Sequence, residues 1–191
     1  KLMKKTSYKA LTLIEMLIVM GIIIILMVVG VSAARFAINR ANDIAHQNAV
    51  TQIFQSLMAY YTDNRKYPDP QNPQTLIGTP GNTSAPLNKY MDEGSFKGGT
   101  PASYVYMVDD LRQSVLICVT LGGIDDETGR GIFCDGNAFG NPDLTTPTSG
   151  TNFTKKGNLD PTIDETAYNA ILGYADGTSD WYGDATGWSQ N

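Results

Sequence analysis

The sequence lacks the residue combinations on which most enzyme active sites are built. Its 191 residues include one histidine and two cysteines, and they contain no G-x-x-x-x-G-K-[ST], C-x-x-C or G-x-S-x-G motif. The histidine, His46, lies on a predicted helix with no cysteine nearby, so nothing in the sequence pairs a nucleophile with a base. We therefore predict that the chain is not an enzyme and that His46 makes a polar contact with solvent or with a second subunit.

The body of the chain also lacks a basic cluster. Lys1, Lys4, Lys5 and Lys9 all lie at the N-terminus, whereas acidic residues dominate after Asp109 and the formal net charge is −5. Proteins that bind nucleic acid neutralise phosphates with clustered lysine and arginine. The charge distribution therefore argues against a nucleic-acid-binding groove in the monomer.

Proline is missing from residues 11–67, and the first part of this stretch, residues 11–34, has Glu15 as its only charged residue. As a helix this run would be about 36 Å long, which is enough to cross a bilayer core of about 30 Å. It is too long for a simple signal peptide and has no small-x-small cleavage site. Because the lysines precede the run, we predict one membrane span with a cytoplasmic N-terminus and an exported body.

The next part of the same stretch, residues 35–66, is amphipathic. From Val50 onward its apolar residues recur at spacings of i, i+3, i+4, i+7 and i+8, which is the period of a helix with one apolar stripe. We predict one continuous helix over roughly residues 11–62. Its first half is apolar all round, and the stripe of its second half needs a domain to cover it.

Residues 67–191 are predicted to form that domain, because prolines end the helix after Tyr67. Three segments rich in β-branched and apolar residues indicate strands, namely 103–108, 114–121 and 131–134. A short antiparallel sheet of these strands, packed on the helical stripe, predicts an α+β fold. The tail after residue 135 carries few strand signals.

The cysteines, Cys118 and Cys134, both lie in the part assigned to the outside of the cell. An even number of cysteines in an exported domain favours one disulfide. Closing a loop of about 15 residues would contribute about 3 kcal/mol of stability. Two free buried thiols are the alternative.

The N-terminal sequence resembles a known signal. A basic leader that ends in a small residue, Ala10, is followed by L-T-L-I-E-M-L-I-V, which resembles the class-III signal of type IV pilins and pseudopilins. The sequence Y-Y-T-D-N-R-K-Y-P at residues 60–68 resembles the end of the long helix in pseudopilins and related pilins. The chain departs from the family pattern in having alanine rather than glycine before the cleavage site, leucine rather than phenylalanine after it, and no proline near the middle of the apolar run.

The resemblance implies roles for individual residues. The leader, residues 1–10, would be removed by a prepilin peptidase between Ala10 and Leu11, and Leu11 would be N-methylated. Glu15 would pair with the α-amine of the neighbouring subunit and fix the register of one helix against the next, since neither charge can be buried alone without a cost of several kcal/mol. If the leader stays in place, Lys5 or Lys9 of a neighbour is the alternative partner. In a further alternative Glu15 lies at the headgroup level beside Lys9.

The resemblance also implies a fold and a function. The fold would be a pilin-like lollipop, a long N-terminal helix whose second half packs on a small β-sheet head. The chain would wait in the cytoplasmic membrane and then polymerise with identical subunits into a surface pilus, served by an assembly platform protein and an ATPase. That pilus would act in adhesion, twitching motility or DNA uptake. The alternatives are a pseudopilin of type II secretion or competence and, in another class, a single-pass membrane-anchored binding domain.

The C-terminal tail holds one possible metal site. Asp176, Asp180 and Asp184 recur every four residues, and calcium prefers several carboxylate and carbonyl oxygens. Some pseudopilins bind calcium in a C-terminal loop, so these three aspartates are the candidate ligands. A solvated loop that binds no metal is the favoured interpretation, and no other cofactor is expected.

Overall fold

The computed structural model describes residues 12–69, 76–77, 84–91, 102–123, 126, 128–139, 157–159, 181–184 and 187–190, the last three ranges by their backbone. Within these ranges, the elements whose bounds are described are one helix and six strands. They are α1 (Leu13–Asn64), β1 (Ser103–Val108), β2 (Val115–Thr120), β3 (Ile132–Gly136), β4 (Gly157–Leu159), β5 (Trp181–Asp184) and β6 (Gly187–Gln190). The α+β class predicted from the sequence is confirmed.

The helix α1 is continuous over 52 residues, as the absence of proline predicts. It ends where Arg65 adopts a left-handed conformation, with φ of 59°, and donates its backbone N–H to the carbonyl of Tyr61 at 2.7 Å. This is the capping geometry that usually uses glycine. Pro68 follows three residues later and prevents the helix from continuing.

The strands form one antiparallel sheet in the order β4-β3-β2-β1-β5-β6. Strands β1 to β3 lie within one or two residues of the predicted segments. The other three come from the tail and were not predicted. Their sequences, GNL, WYGD and GWSQ, are short and contain glycine or asparagine, residues that are depleted in strands.

The apolar stripe of α1 packs on one face of this sheet. Its buried apolar side chains share one core with alternate residues of β1 and β2, including Tyr104 and Ile117. The helix contributes Ala49, Val50, Ile53 and Leu57 to that core. Because strand side chains alternate between faces, this contact buries half of the side chains of each central strand.

The opposite face of the sheet is also buried, since every residue of β1 and β2 is inaccessible to solvent. Cys118 lies on this second face, where it is the partner of Val105 in β1 and of Cys134 in β3. The predicted disulfide between Cys118 and Cys134 is present. The bond therefore links β2 to β3 covalently on the side of the sheet that faces away from α1.

Candidate functional site

The N-terminal part of α1 presents an apolar surface that is exposed to solvent. Contacts divide the chain into two compact units, residues 1–41 and 42–191, and every described residue of the first unit is solvent-exposed. We call residues 13–34 the apolar segment. Its large side chains are between 43% and 84% exposed, the least so Ile23 and the most so Leu13. The helix is long and apolar enough to span a membrane.

Moving the apolar segment from water to an apolar environment would release a large free energy. The apolar segment holds sixteen large hydrophobic side chains, and burying one such side chain contributes about 1.5–3 kcal/mol. Its transfer to an apolar environment is therefore worth tens of kcal/mol, far above the 5–15 kcal/mol that stabilise a typical fold. Lipid, or a bundle of similar helices, would provide such an environment.

The segment begins with a reciprocal cap between Thr12 and Glu15. The Glu15 carboxylate oxygen Oε2 accepts hydrogen bonds from the Thr12 backbone N–H at 2.9 Å and from the Thr12 hydroxyl at 3.0 Å. The Glu15 backbone N–H donates in turn to the Thr12 hydroxyl oxygen at 3.3 Å. This is a capping box, which satisfies two N–H groups that a helix start otherwise leaves free.

The cap fixes where the Glu15 charge sits. The carboxylate lies in the first turn of α1, where the helix dipole favours a negative charge. Its other oxygen, Oε1, makes no hydrogen bond within the part of the chain that the structure describes. One carboxylate oxygen thus caps the helix of its own chain. The other can accept a hydrogen bond from another molecule or form an ion pair with it.

Thr12 was not predicted to have a role, although the sequence contained the signal. The spacing T-x-x-E directly before an apolar run is the pattern of a capping box. Glu15 therefore has a structural role within its own chain, which stands beside the predicted role in register. The two roles use different oxygens of the same carboxylate and are compatible.

The predicted leader and metal positions fall largely outside the residues that the structure describes. Ala10, Leu11, Asp176 and Asp180 lie outside the described residues, and Asp184 is described only by its backbone in β5. Among the residues that the structure describes, no three acidic, histidine or cysteine side chains form a group that could hold a metal. The calcium site therefore stays a prediction.

His46 is buried, so the predicted contact with solvent or a second subunit is wrong. It is 3% exposed, and its Nδ1 lies 2.8 Å from the hydroxyl of Tyr104 on β1. Burial raises the pKa of that hydroxyl well above its usual value, so Tyr104 stays protonated. This hydrogen bond gives each of two buried side chains a polar partner, which accounts for a histidine in a stripe that packs mostly apolar residues.

An ion pair ties the same part of α1 to the loop between β2 and β3. Arg130 Nη1 lies 2.7 Å from Asp43 Oδ1, and both side chains are mostly buried. The loop itself is ordered around Asp126, whose carboxylate accepts hydrogen bonds from the backbone N–H groups of Arg130 and Gly131 at 2.7 and 2.8 Å. Paired buried charges fix a geometry more than they add stability, so this contact sets the position of the loop on the helix.

The described chain therefore offers one surface on the scale of an assembly site, the apolar segment with its capped carboxylate. Its sheet and the second half of α1 are held together by a closed core, a buried histidine–tyrosine contact and an ion pair. No protein-family model, curated protein or solved structure matches the chain.

Proposed function

We propose that the chain is a structural subunit of a type IV pilus-like surface filament. In this proposal the apolar segment anchors the subunit in the cytoplasmic membrane before assembly and forms the core of the filament afterwards. The single observation that carries the proposal is an exposed apolar helix whose first turn holds a lone carboxylate, Glu15. The resemblance of residues 3–34 to the pilin signal supports the same function.

The carboxylate is what favours assembly over simple anchoring. A charged group that reaches the centre of a membrane costs about 2.5–3.5 kcal/mol on insertion scales. A capping box needs only glutamate or glutamine at this position, so a plain anchor has no use for the charge itself. In a filament core the free Oε1 of Glu15 would form an ion pair with a positively charged group of a neighbouring subunit. That group would be the Leu11 amine after cleavage, or Lys5 or Lys9 of a retained leader.

The exported domain would form the filament surface. Its core, its disulfide and its ion pair to α1 give a compact body, as a surface exposed outside the cell requires. Following the resemblance, the partners would be identical subunits, a prepilin peptidase, an assembly platform protein and an ATPase. Adhesion, twitching motility or DNA uptake would be the activity of the assembled filament.

A second function is favoured by the end of α1. The sequence of residues 60–68 resembles the corresponding end in pseudopilins, which form short periplasmic fibres in type II secretion or competence. Finding the chain in filaments sheared from the cell surface would favour the pilin. Finding it only in a periplasmic fibre would favour the pseudopilin.

The test is replacement of Glu15 by alanine in cells that make the filament. We expect Glu15→Ala to reach the membrane at the level of the unchanged chain but to leave no filaments. Filaments at the unchanged yield would overturn the role of Glu15. An unchanged chain that stays monomeric in the membrane would overturn the filament function and favour an anchored binding domain.

A further inference from the structure

The turn between β1 and β2, which we call the β1–β2 tip (residues 109–114), is held by hydrogen bonds to Asp109. The Asp109 carboxylate oxygen Oδ1 accepts hydrogen bonds from the backbone N–H groups of Gln113 and Ser114, both at 2.7 Å. The backbone N–H of Arg112 donates to the Asp109 carbonyl at 2.9 Å. These bonds close the turn on itself.

The tip is also braced against the end of α1. The Gln113 side chain donates to the Arg65 carbonyl at 3.2 Å and accepts from the Tyr61 hydroxyl. Arg112 forms an ion pair with Asp69. Arg112 adopts a left-handed conformation, with φ of 59°, which costs a residue other than glycine of the order of 1–3 kcal/mol and persists only where the surroundings impose it. The tip is therefore held in one conformation.

This braced turn presents two side chains outward, Asp110 and Leu111. Leu111 is 73% exposed, and among the described residues outside α1 it is the only large hydrophobic side chain that is exposed. Asp110 is exposed, and its carboxylate makes no ion pair with any residue that the structure describes. A conformation that is fixed before binding reduces the entropy lost on binding, so a partner could bind the tip at a low entropic cost.

A complementary pair lies on α1 just beyond the apolar segment. Phe36 is 71% exposed, and Arg40 follows it by four residues, which places both side chains on one face of the helix. Arg40 is exposed and has no ion-pair partner within the described ranges. The helix thus offers an apolar side chain beside a cation, where the tip offers an apolar side chain beside an anion.

We propose that the β1–β2 tip of one copy docks on the Phe36–Arg40 pair of the next copy, with Asp110 against Arg40 and Leu111 against Phe36. This inference rests on the proposed filament function and names a contact within the filament. The two surfaces differ, so each contact leaves one tip and one helix pair free for further copies. Contacts of this kind propagate into an open filament unless their geometry closes a ring.

Charge exchange tests the contact. We expect Arg40→Glu and Asp110→Arg each to lower the yield of sheared filaments roughly tenfold or more, because each brings like charges together. The double variant restores an opposite pair and should return the yield to near that of the unchanged chain. Arg35→Glu is a matched control on the same helix, five residues away and on another face, and should keep the yield.

The outcomes separate the contact from the function. If the unchanged chain makes filaments and the single variants make as many, or if the double variant is no better than the singles, the contact is wrong and the function stands. If the unchanged chain makes no filaments, the function fails and the contact with it. Folding is checked by membrane level and by the Cys118–Cys134 bond on non-reducing gels.

A second measurement is cross-linking in filaments of a chain that carries both Leu111→Cys and Phe36→Cys. Each copy then has one thiol on the tip and one on the helix pair, so oxidation should link copies into a ladder of multimers. Chains with either substitution alone should yield no species larger than a dimer. A double variant that assembles but gives no ladder would overturn the contact.

Discussion

Thr12 and Glu15 cap the first turn of the apolar helix reciprocally. The threonine hydroxyl donates a hydrogen bond to the glutamate carboxylate at 3.0 Å and accepts one from the glutamate backbone N–H at 3.3 Å. The residue proposed to hold neighbouring subunits in register is therefore also the one that starts its own helix. Replacing Glu15 by alanine removes both contributions together. Separating them requires variants that remove one at a time.

The first prediction concerns this separation. Glu15→Gln keeps a side chain that can complete a capping box but removes the charge, and we expect filaments to be lost. Thr12→Val removes the capping oxygen, at a cost of about 1 kcal/mol, but keeps the charge, and we expect filaments at reduced yield. The yields of sheared filaments give the answer. Loss of filaments in Thr12→Val but not in Glu15→Gln would assign assembly to the cap instead of the charge.

The second prediction concerns the buried contact between His46 and Tyr104. Tyr104→Phe removes the hydroxyl that lies 2.8 Å from His46 Nδ1 while keeping the ring. We expect the unfolding free energy to fall by about 1–3 kcal/mol, the cost of losing a partner of a buried polar group. Thermal unfolding of the full chain in detergent measures the change, with the exposed Thr62→Val as a control. An unchanged midpoint in Tyr104→Phe would contradict the contact.

The third prediction concerns the disulfide. It joins Cys118 and Cys134, which are 16 residues apart, so replacing both by alanine should lower the unfolding free energy by about 3 kcal/mol. Urea unfolding of the full chain in detergent measures the loss. A reduced sample of the unchanged chain should show a similar loss. Equal stability of the oxidised, reduced and substituted chains would show that the bond does not stabilise the domain.

The fourth prediction is a pH dependence at the exposed end of α1. The Tyr90 hydroxyl donates to the Asp63 carboxylate at 2.6 Å, and this hydrogen bond, with a smaller contribution from Lys89, lowers the pKa of Asp63. A lowered pKa in the folded state means that the contribution to stability is complete above the unfolded value of about 4 and is lost as the pH falls through the folded value.

The test of this pH dependence is an NMR titration of the Asp63 carboxyl. Tyr90→Phe removes the main donor, so the pKa of Asp63 should rise toward its ordinary value, and the acid-side loss of stability that depends on Asp63 should diminish. Lys89→Ala should raise the pKa of Asp63 less than Tyr90→Phe does. The same titration curve in the unchanged chain and in Tyr90→Phe would refute the assignment.

Much of the fold follows from local sequence signals. The helix is predictable because residues 11–67 lack proline and change from uniformly apolar to one-sided, and β1 to β3 because β-branched residues are concentrated there. The strands β5 and β6 are different, since each has only four residues and combines tryptophan with glycine, which is depleted in strands. Their structure depends on pairing with β1 and with each other, which a local pattern cannot reveal.

The candidate site also has parts that the sequence predicts and parts that it does not. The apolar segment and Glu15 are conspicuous because a charge in an apolar run is rare, and the capping role of Thr12 was readable from its spacing. The burial of His46 also had a signal, because His46 precedes Ala49, Val50 and Ile53 by three, four and seven residues and so shares their helical face. The exposed residues Asp110 and Leu111 of the β1–β2 tip had no such sequence signal, since their exposure depends on how the turn is braced against the end of α1.

Electron cryomicroscopy of filaments sheared from cells that make this chain tests the central claim most directly. The account predicts a core built of the apolar segments of many copies, with the Glu15 carboxylate within about 4 Å of an amine of a neighbouring copy. A chain found only as a monomer in the membrane, or a filament in which Glu15 faces water and contacts no other copy, would contradict it.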